Sequence, residues 1–345
     1  MSNRNSRLIG NKHHIPEIAA LSSFAILLVV FGHARISNNA VHNPGFYLSI
    51  REIIYSFHMH LFMFVSGYLF FYTNMHKKPA FKEILHKKIV RLLLPYLLLL
   101  SLVFIFRFLG SQLQPIQSTQ TLQRFNYFLT LIHPDFMVID YYWFLLALFV
   151  IFCFSILLLF VIKTESAIMY ALLTGVLLTL HYFPLNVRLF CLSRVSEFAV
   201  FFWFGGLFLL YENYMRKPHS SLMILILSVL MVLMQNTDVA ILSVPKAIAG
   251  ILLMYYLAIA YTKADCHFLK MVSGYTFQIY LLSWFFHKGA EVVAHRFFGY
   301  GFYIVFPISF LGGLIGPIMI AKLIQRKYPR IGPAIGLKLH RTVSA

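Results

Sequence analysis

The sequence predicts an all-α, polytopic integral membrane helix bundle of about ten transmembrane helices, with both termini cytoplasmic. Three observations carry that prediction. Of the 345 residues, 60% are apolar and only 12% charged, with a mean hydropathy of +0.76. A soluble domain carries about 25% charged residues to cover its surface. The apolar residues fall in blocks of roughly 20, the length an α-helix needs to cross about 30 Å of hydrocarbon. These blocks lack the alternation of a membrane-barrel strand. A soluble enzyme, a nucleic-acid-binding domain and a disordered chain are excluded.

The predicted spans are about 16–35, 50–72, 89–109, 141–162, 166–182, 194–211, 220–235, 240–261, 268–287 and 300–324. The first is a retained helix rather than a signal peptide. Its apolar run from Ile18 to Phe31 is followed by Gly32-His33-Ala34-Arg35, with no small-x-small cleavage site. The second opens on Arg51 and Glu52 and places His58 and His60 within two turns. The third follows a dense basic loop and holds Arg107. The fourth opens on Tyr-Tyr-Trp, with Trp143 expected as an aromatic anchor at the outer interface or a platform for a sugar ring. The sixth carries Arg194 and Glu197 at a spacing that lets them meet on one face. The fifth and seventh are short, and the eighth to tenth are plain apolar runs. Around this domain (16–325) lie an N-terminal segment (1–15) and a basic tail (326–345). Between Gly110 and Asp140 runs the longest outer loop, long enough for a lid or binding loop and equally consistent with disorder.

The net charge of +18 has a topological explanation. With the N-terminus inside, 20 of the 29 Lys and Arg residues fall on the cytoplasmic side, including Lys77, Lys78, Lys82, Lys87, Lys88 and Arg91 in one loop. That bias is the positive-inside rule at work, and nucleic acid is not needed to explain it. Cys153, Cys191 and Cys266 stand far apart, with neither a metal-site nor a disulfide pattern. Nor is the internal repeat of many transporters visible.

Ionisable residues inside a bilayer are costly and mark functional positions. His33, His58, Arg107, Arg194 and Glu197 are therefore the informative charges, most of them in the outer half of the membrane. His58 and His60 diverge by about 200° on a helix and do not share a metal ion; no metal site is expected. Ser66-Gly67-Tyr68 fits either an acyl path or close helix packing through small residues. Arg194 and Glu197 read first as a buried pair fixing the sixth helix.

The stretch FAILLVVFGH, ending at His33, resembles the first helix of the membrane-bound acyltransferase 3 family, and within it the fucose 4-O-acetylase-like branch. SFHMHLFMFVSGYLF is similar to that family's second signature, and KKIVRLLLPYLLL to the basic pair and proline opening its third helix. YYWFLLALF, FFWFGGLFL and SGYTFQIYLL match weaker landmarks in the same order, so the resemblance spans residues 18–285. It implies a membrane O-acyltransferase of the bacterial inner membrane, moving an acyl group, commonly acetyl, from acyl-CoA to a hydroxyl of an envelope polysaccharide or lipid-linked sugar.

It further implies His33 as catalytic base and His58 as a substrate-positioning histidine. Ser66, Tyr68, Arg107, Arg194 and Glu197 would line the substrate or acyl path. Lys88 and Arg91 would meet the phosphates of acetyl-CoA, which is a donor substrate and not a resident cofactor. An imidazole titrating near 6.5 suits proton abstraction from an alcohol at neutral pH. Topology and anionic lipid headgroups explain the same basic pair without CoA. Four positions depart from the family pattern. Its helix-one arginine or lysine is Ser22, its acidic residue falls on Ala19 with Glu17 two residues earlier, the proline after FHM is His60, and a late histidine falls on Ser283. The competing readings are a glycan or lipid transporter or flippase, and an inactive partner of the same fold.

Overall fold

The computed structural model describes residues 16–34, 43–73, 81–113, 132, 142–162, 167–187, 189–216, 219–235, 237, 239–263, 267–298 and 301–337. The described chain is an all-helical bundle. Its α-helices, in order, are α1 (Pro16–His33), α2 (Gly45–Tyr55), α3 (His58–Tyr72), α4 (Phe81–Lys88), α5 (Leu94–Leu113), α6 (Trp143–Ile162) and α7 (Ala167–Tyr182). They continue with α8 (Leu192–Met215), α9 (Ser220–Leu233), α10 (Ser243–Lys263), α11 (His267–Ser273), α12 (Thr276–Phe298) and α13 (Phe302–Lys327).

Seven segments among the described residues are long and apolar enough to cross a membrane: Pro16–His33, Gly45–Tyr72, Glu83–Ile105, Trp143–Phe160, Leu189–Met215, Ala240–Thr262 and Phe302–Lys327. The other three predicted spans also fall on helices, but shorter or more polar ones. With 16 and 14 residues, α7 and α9 reach only about 24 and 21 Å, short of a 30 Å hydrocarbon core without thinning or flanking residues. The predicted ninth span needs correction. It is not one helix from 268 but the short α11, a turn at Gly274 and Tyr275, and then α12, which runs on to Phe298 and carries Lys288, Glu291 and Arg296.

Two breaks inside spans shape the polar sites. The second span turns at Ser56 and Phe57, where Phe57 leaves helical geometry and buries its ring, 2% exposed, so that His58 begins a new helix. In the third, a π-helical turn (Ile89–Leu93) joins α4 to α5. Pro95 lies just beyond it; a proline has no N–H to offer the carbonyl four residues back, and its ring crowds that carbonyl. The wider turn relieves the crowding at Arg91.

Helix α1 is the buried centre of the bundle, packed against α3, α10, α11, α12 and α13. Leu21, Ala25, Ile26 and Val30 are fully buried, as expected of a helix that is apolar all round. Elsewhere large apolar side chains such as Phe160, Leu172, Leu233 and Tyr303 point outward, the surface that lipid covers. The tightest contact between helices is that of α3 with α8, where Gly67 and Gly205 face each other's backbone. A 3-10 stretch, Pro329–Ile335, folds back on α13 and the π turn, and Gln278 Nε2 donates to Ile335 O at 2.9 Å.

Candidate functional site

The last turn of a helix leaves carbonyls without intrahelical donors. At the end of α1 three side chains of α2 supply them. Gly32 O accepts from Arg51 Nε at 3.1 Å, from Tyr55 OH at 3.2 Å and from Tyr47 OH at 3.4 Å, while Tyr47 OH also reaches Phe31 O at 3.1 Å. The close approach needs a glycine, because a Cβ at Gly32 would lie 2.5 Å from Cε2 of Tyr55. Helices α1 and α2 are thus held where α1 ends in His33.

Around Tyr55 two of the candidate side chains, His33 and His58, converge. Its ring centroid lies 6.1 Å from that of His33 and 4.6 Å from that of His58, and the Arg51 guanidinium sits 4.0 Å over the same ring. His58 is buried, and its Nδ1 lies 3.0 Å from Ile54 O. A carbonyl only accepts, so Nδ1 carries the proton and Nε2 keeps its lone pair. The cluster therefore holds one imidazole of fixed tautomer, a second at a helix end, a guanidinium and a phenol. Those are the groups that accept a proton from an alcohol and stabilise an oxyanion.

A family model described as an acyltransferase domain matches residues 16–322. The chain belongs to the acyltransferase 3 family. It is a multi-pass membrane acyltransferase. No curated protein matches the chain, and no solved structure does.

Other sequence-derived candidates of this acyltransferase are not gathered with His33 and His58. Gly67 is explained by packing: a Cβ there would fall 1.8 Å from Phe202 O of α8. Half-buried Ser66 lies on the same turn. Tyr68 serves a second polar cluster near the opposite end of the bundle, its hydroxyl donating to Glu212 Oε2 at 2.7 Å. There Arg216 binds Glu212 at 2.8 Å and Glu17 at 2.9 Å, joining the first turn of α1 to the end of α8. Tyr255, whose buried hydroxyl has no partner among the described residues, belongs to the same cluster. Ser22, at the family's cationic position, donates back to Ile18 O within its own helix.

Lys88 places its ammonium 3.4 Å from the centre of the Phe152 ring, half-buried, whereas Arg91 on the π turn is exposed. The side chain of Arg107 lies outside the described residues. Arg194 and Glu197 pair at 3.1 Å, but their side chains are 36% and 34% exposed, which corrects the expectation of a buried pair. Trp143 is likewise no interfacial anchor: it is buried against Phe198, with Arg194 over its ring at 5.2 Å. His60 packs against Phe198 and Phe201, its Nδ1 without a partner among the described residues.

Three polar residues are missed by the sequence reading. Tyr55 looks there like an ordinary apolar-span tyrosine. His181 donates from Nδ1 to Glu197 O and reaches Ser243 through Nε2 at 3.0 Å, so it ties α7 to α8 and α10. His287, one turn beyond Ser283 on α12, is buried with Nδ1 2.9 Å from Ser309 Oγ, and its Nε2 is unpaired among the described residues. The rule that intramembrane ionisable groups mark function applies equally to both histidines and could have found them.

Proposed function

We propose that this acyltransferase moves an acetyl group from acetyl-CoA to a hydroxyl of an envelope polysaccharide or lipid-linked sugar at a bacterial inner membrane. The observation that supports this most is the placement of His33 and His58 on one tyrosine ring, with Arg51 stacked on its face. His33, half-buried at a helix end, takes the proton of the acceptor hydroxyl. The alkoxide oxygen attacks the thioester carbonyl; the remaining N–H groups of Arg51 face the developing oxyanion, while the Tyr55 hydroxyl stays donated to Gly32 O. The C–S bond then breaks, and the leaving thiolate takes the proton back from the imidazole. His58, with its Nε2 lone pair directed by the bond to Ile54 O, orients the acceptor. Lys88 and Arg91, on the side holding most of the basic residues, meet the donor's phosphates. The family resemblance supports a sugar hydroxyl as acceptor, after the fucose 4-O-acetylase-like branch.

Transfer of radiolabelled acetyl from acetyl-CoA to envelope glycolipid in proteoliposomes tests this. His33→Ala should lower the rate by about 10²–10⁴-fold, the usual contribution of a positioned general base. Unchanged transfer in the variant removes His33 from the mechanism.

A further inference from the structure

A cleft of about 200 Å³ lies beside the histidine site, on another face of α2. It is walled by Glu52 and Ser56 of the α2–α3 junction, by Met231 and Met234 at the end of α9 with Gln235 beyond it, and by Lys246 in the first turn of α10. All three elements reach the cleft at the end of the bundle that the charge bias places outside. Arg51 and Tyr55, which hold the end of α1, alternate along α2 with Glu52 and Ser56, which face the cleft. The two sites therefore lie on adjoining faces of α2, since successive residues of a helix point about 100° apart.

The cleft's chemistry is incomplete. Glu52 and Lys246 both line it, yet they form no ion pair; among the described residues the Lys246 ammonium donates only to Thr237 O, which leaves it two further N–H groups. Neither the Glu52 carboxylate nor the Gln235 amide has a hydrogen-bond partner among the described residues, while Ser56 donates to Ile53 O and keeps its oxygen free to accept. Met231 and Met234 add an apolar side.

From this we infer that the cleft binds one ring of a neutral saccharide, next to the residue that is acylated; the inference rests on the function proposed above. A carboxylate and an ammonium held apart suit a ligand whose hydroxyls donate to one and accept from the other. A phosphate would face Glu52 and a simple cation would face Lys246, each unfavourably. The methionine side packs the C–H face of a sugar ring. The volume, below the roughly 300–1,000 Å³ of drug-sized sites, fits one ring and not a chain. The ring bound here would anchor the glycan while its neighbour reaches His33.

The test is ligand-observed saturation-transfer NMR on the full-length protein in nanodiscs, with methyl β-galactoside, methyl β-N-acetylglucosaminide and O-phosphoethanolamine as probes. At least one glycoside should receive saturation from the wild type. That signal should fall at least five-fold in Glu52→Gln and in Lys246→Met, and persist in His33→Ala. No glycoside signal, a signal unchanged in both cleft variants, or binding of phosphoethanolamine alone overturns the assignment. Acetyl transfer separates the cleft from the reaction. Glycoside binding lost in the cleft variants, with no transfer by the wild type, keeps the cleft and sinks the proposed function. Transfer with an acceptor KM unchanged in both variants does the reverse.

Discussion

The contact between α3 and α8 gives the sharpest test of the packing. In Gly67→Ala the new methyl would sit 1.8 Å from Phe202 O, 2.6 Å from its carbonyl carbon and 2.8 Å from its Cα. Contacts under 3.0 Å are essentially never tolerated, so the two helices must part by at least about 1.2 Å. Rotation offers no escape, since Gly205 meets α3 as closely from the other side, 2.4 Å from Phe64 O. Overpacking costs about 1–3 kcal/mol where side chains absorb it; against backbone the upper figure applies. At about 2 cal/mol/K of unfolding entropy per residue, 3 kcal/mol lowers the midpoint of a 345-residue chain by about 4 °C. Helices that survive in detergent reduce that entropy and enlarge the shift. Cys191 is fully buried and Cys153 half-buried, so a thiol-reactive fluorogenic maleimide reports unfolding directly. Gly175→Ala is the control: its Cβ meets nothing within 4 Å, and helix propensity favours alanine by about 1 kcal/mol. A Gly67→Ala midpoint within about 1 °C of wild type would refute the close-packing argument.

Tyr55→Phe should leave both the melting midpoint and acetyl transfer almost unchanged, because Arg51 and Tyr47 still serve Gly32 O and the ring stays in place; Tyr55→Ala, which removes the ring between the histidines, should slow transfer. Rates in proteoliposomes alongside thermal melts check both, and equal rates for the two variants would contradict a role for the ring. Arg194→Ala breaks a half-exposed pair and should cost under about 1 kcal/mol, a small midpoint shift in the same maleimide assay. Glu212→Gln should cost more, about 1–2 kcal/mol after discounting for the exposure of Arg216, since it weakens the bonds to both Tyr68 and Arg216. A Glu212→Gln midpoint no lower than that of Arg194→Ala would overturn that ranking.

The spans are legible in the sequence because the bilayer imposes a length and an apolar composition that no packing detail can override. The register of function within them is less legible. His33 stands out because a histidine ending an apolar helix is expensive without a reason. Tyr55 does not, since a tyrosine near an interface has ordinary uses and only the turn at Ser56 and Phe57 brings it between two histidines. The same limit applies to Ser66-Gly67-Tyr68. Small residues on a membrane helix suit a substrate path and a close helix contact equally well, and only the opposing backbone at Phe202 distinguishes them. Spacing pairs Arg194 with Glu197 correctly, but spacing carries no information about exposure. The α11–α12 turn is hidden because Gly274 sits inside an apolar run that satisfies the length rule by itself.

The two polar clusters divide the length of α1 between them. Glu17 in its first turn binds Arg216, and His33 ends its last turn, about 24 Å away at 1.5 Å per residue. A charge–charge interaction over that distance contributes little to acyl chemistry even at a low effective dielectric. The inner cluster, two carboxylates on one guanidinium, anchors α1 to α8; under the proposed function, the basic residues near the same end, Lys88 and Arg91 among them, would take the CoA phosphates. Under the same proposal, bond making would fall to the Tyr55 cluster. An extended donor arm lying along the interior is the arrangement that joins them without moving α1, whose fully buried core residues and tie from Ser23 Oγ to Leu269 O resist displacement. A thioester reaching His33 from the inner side would meet an acceptor held at Glu52 and Lys246 from the outer side, the anchored ring and the reacting one lying on adjoining faces of α2.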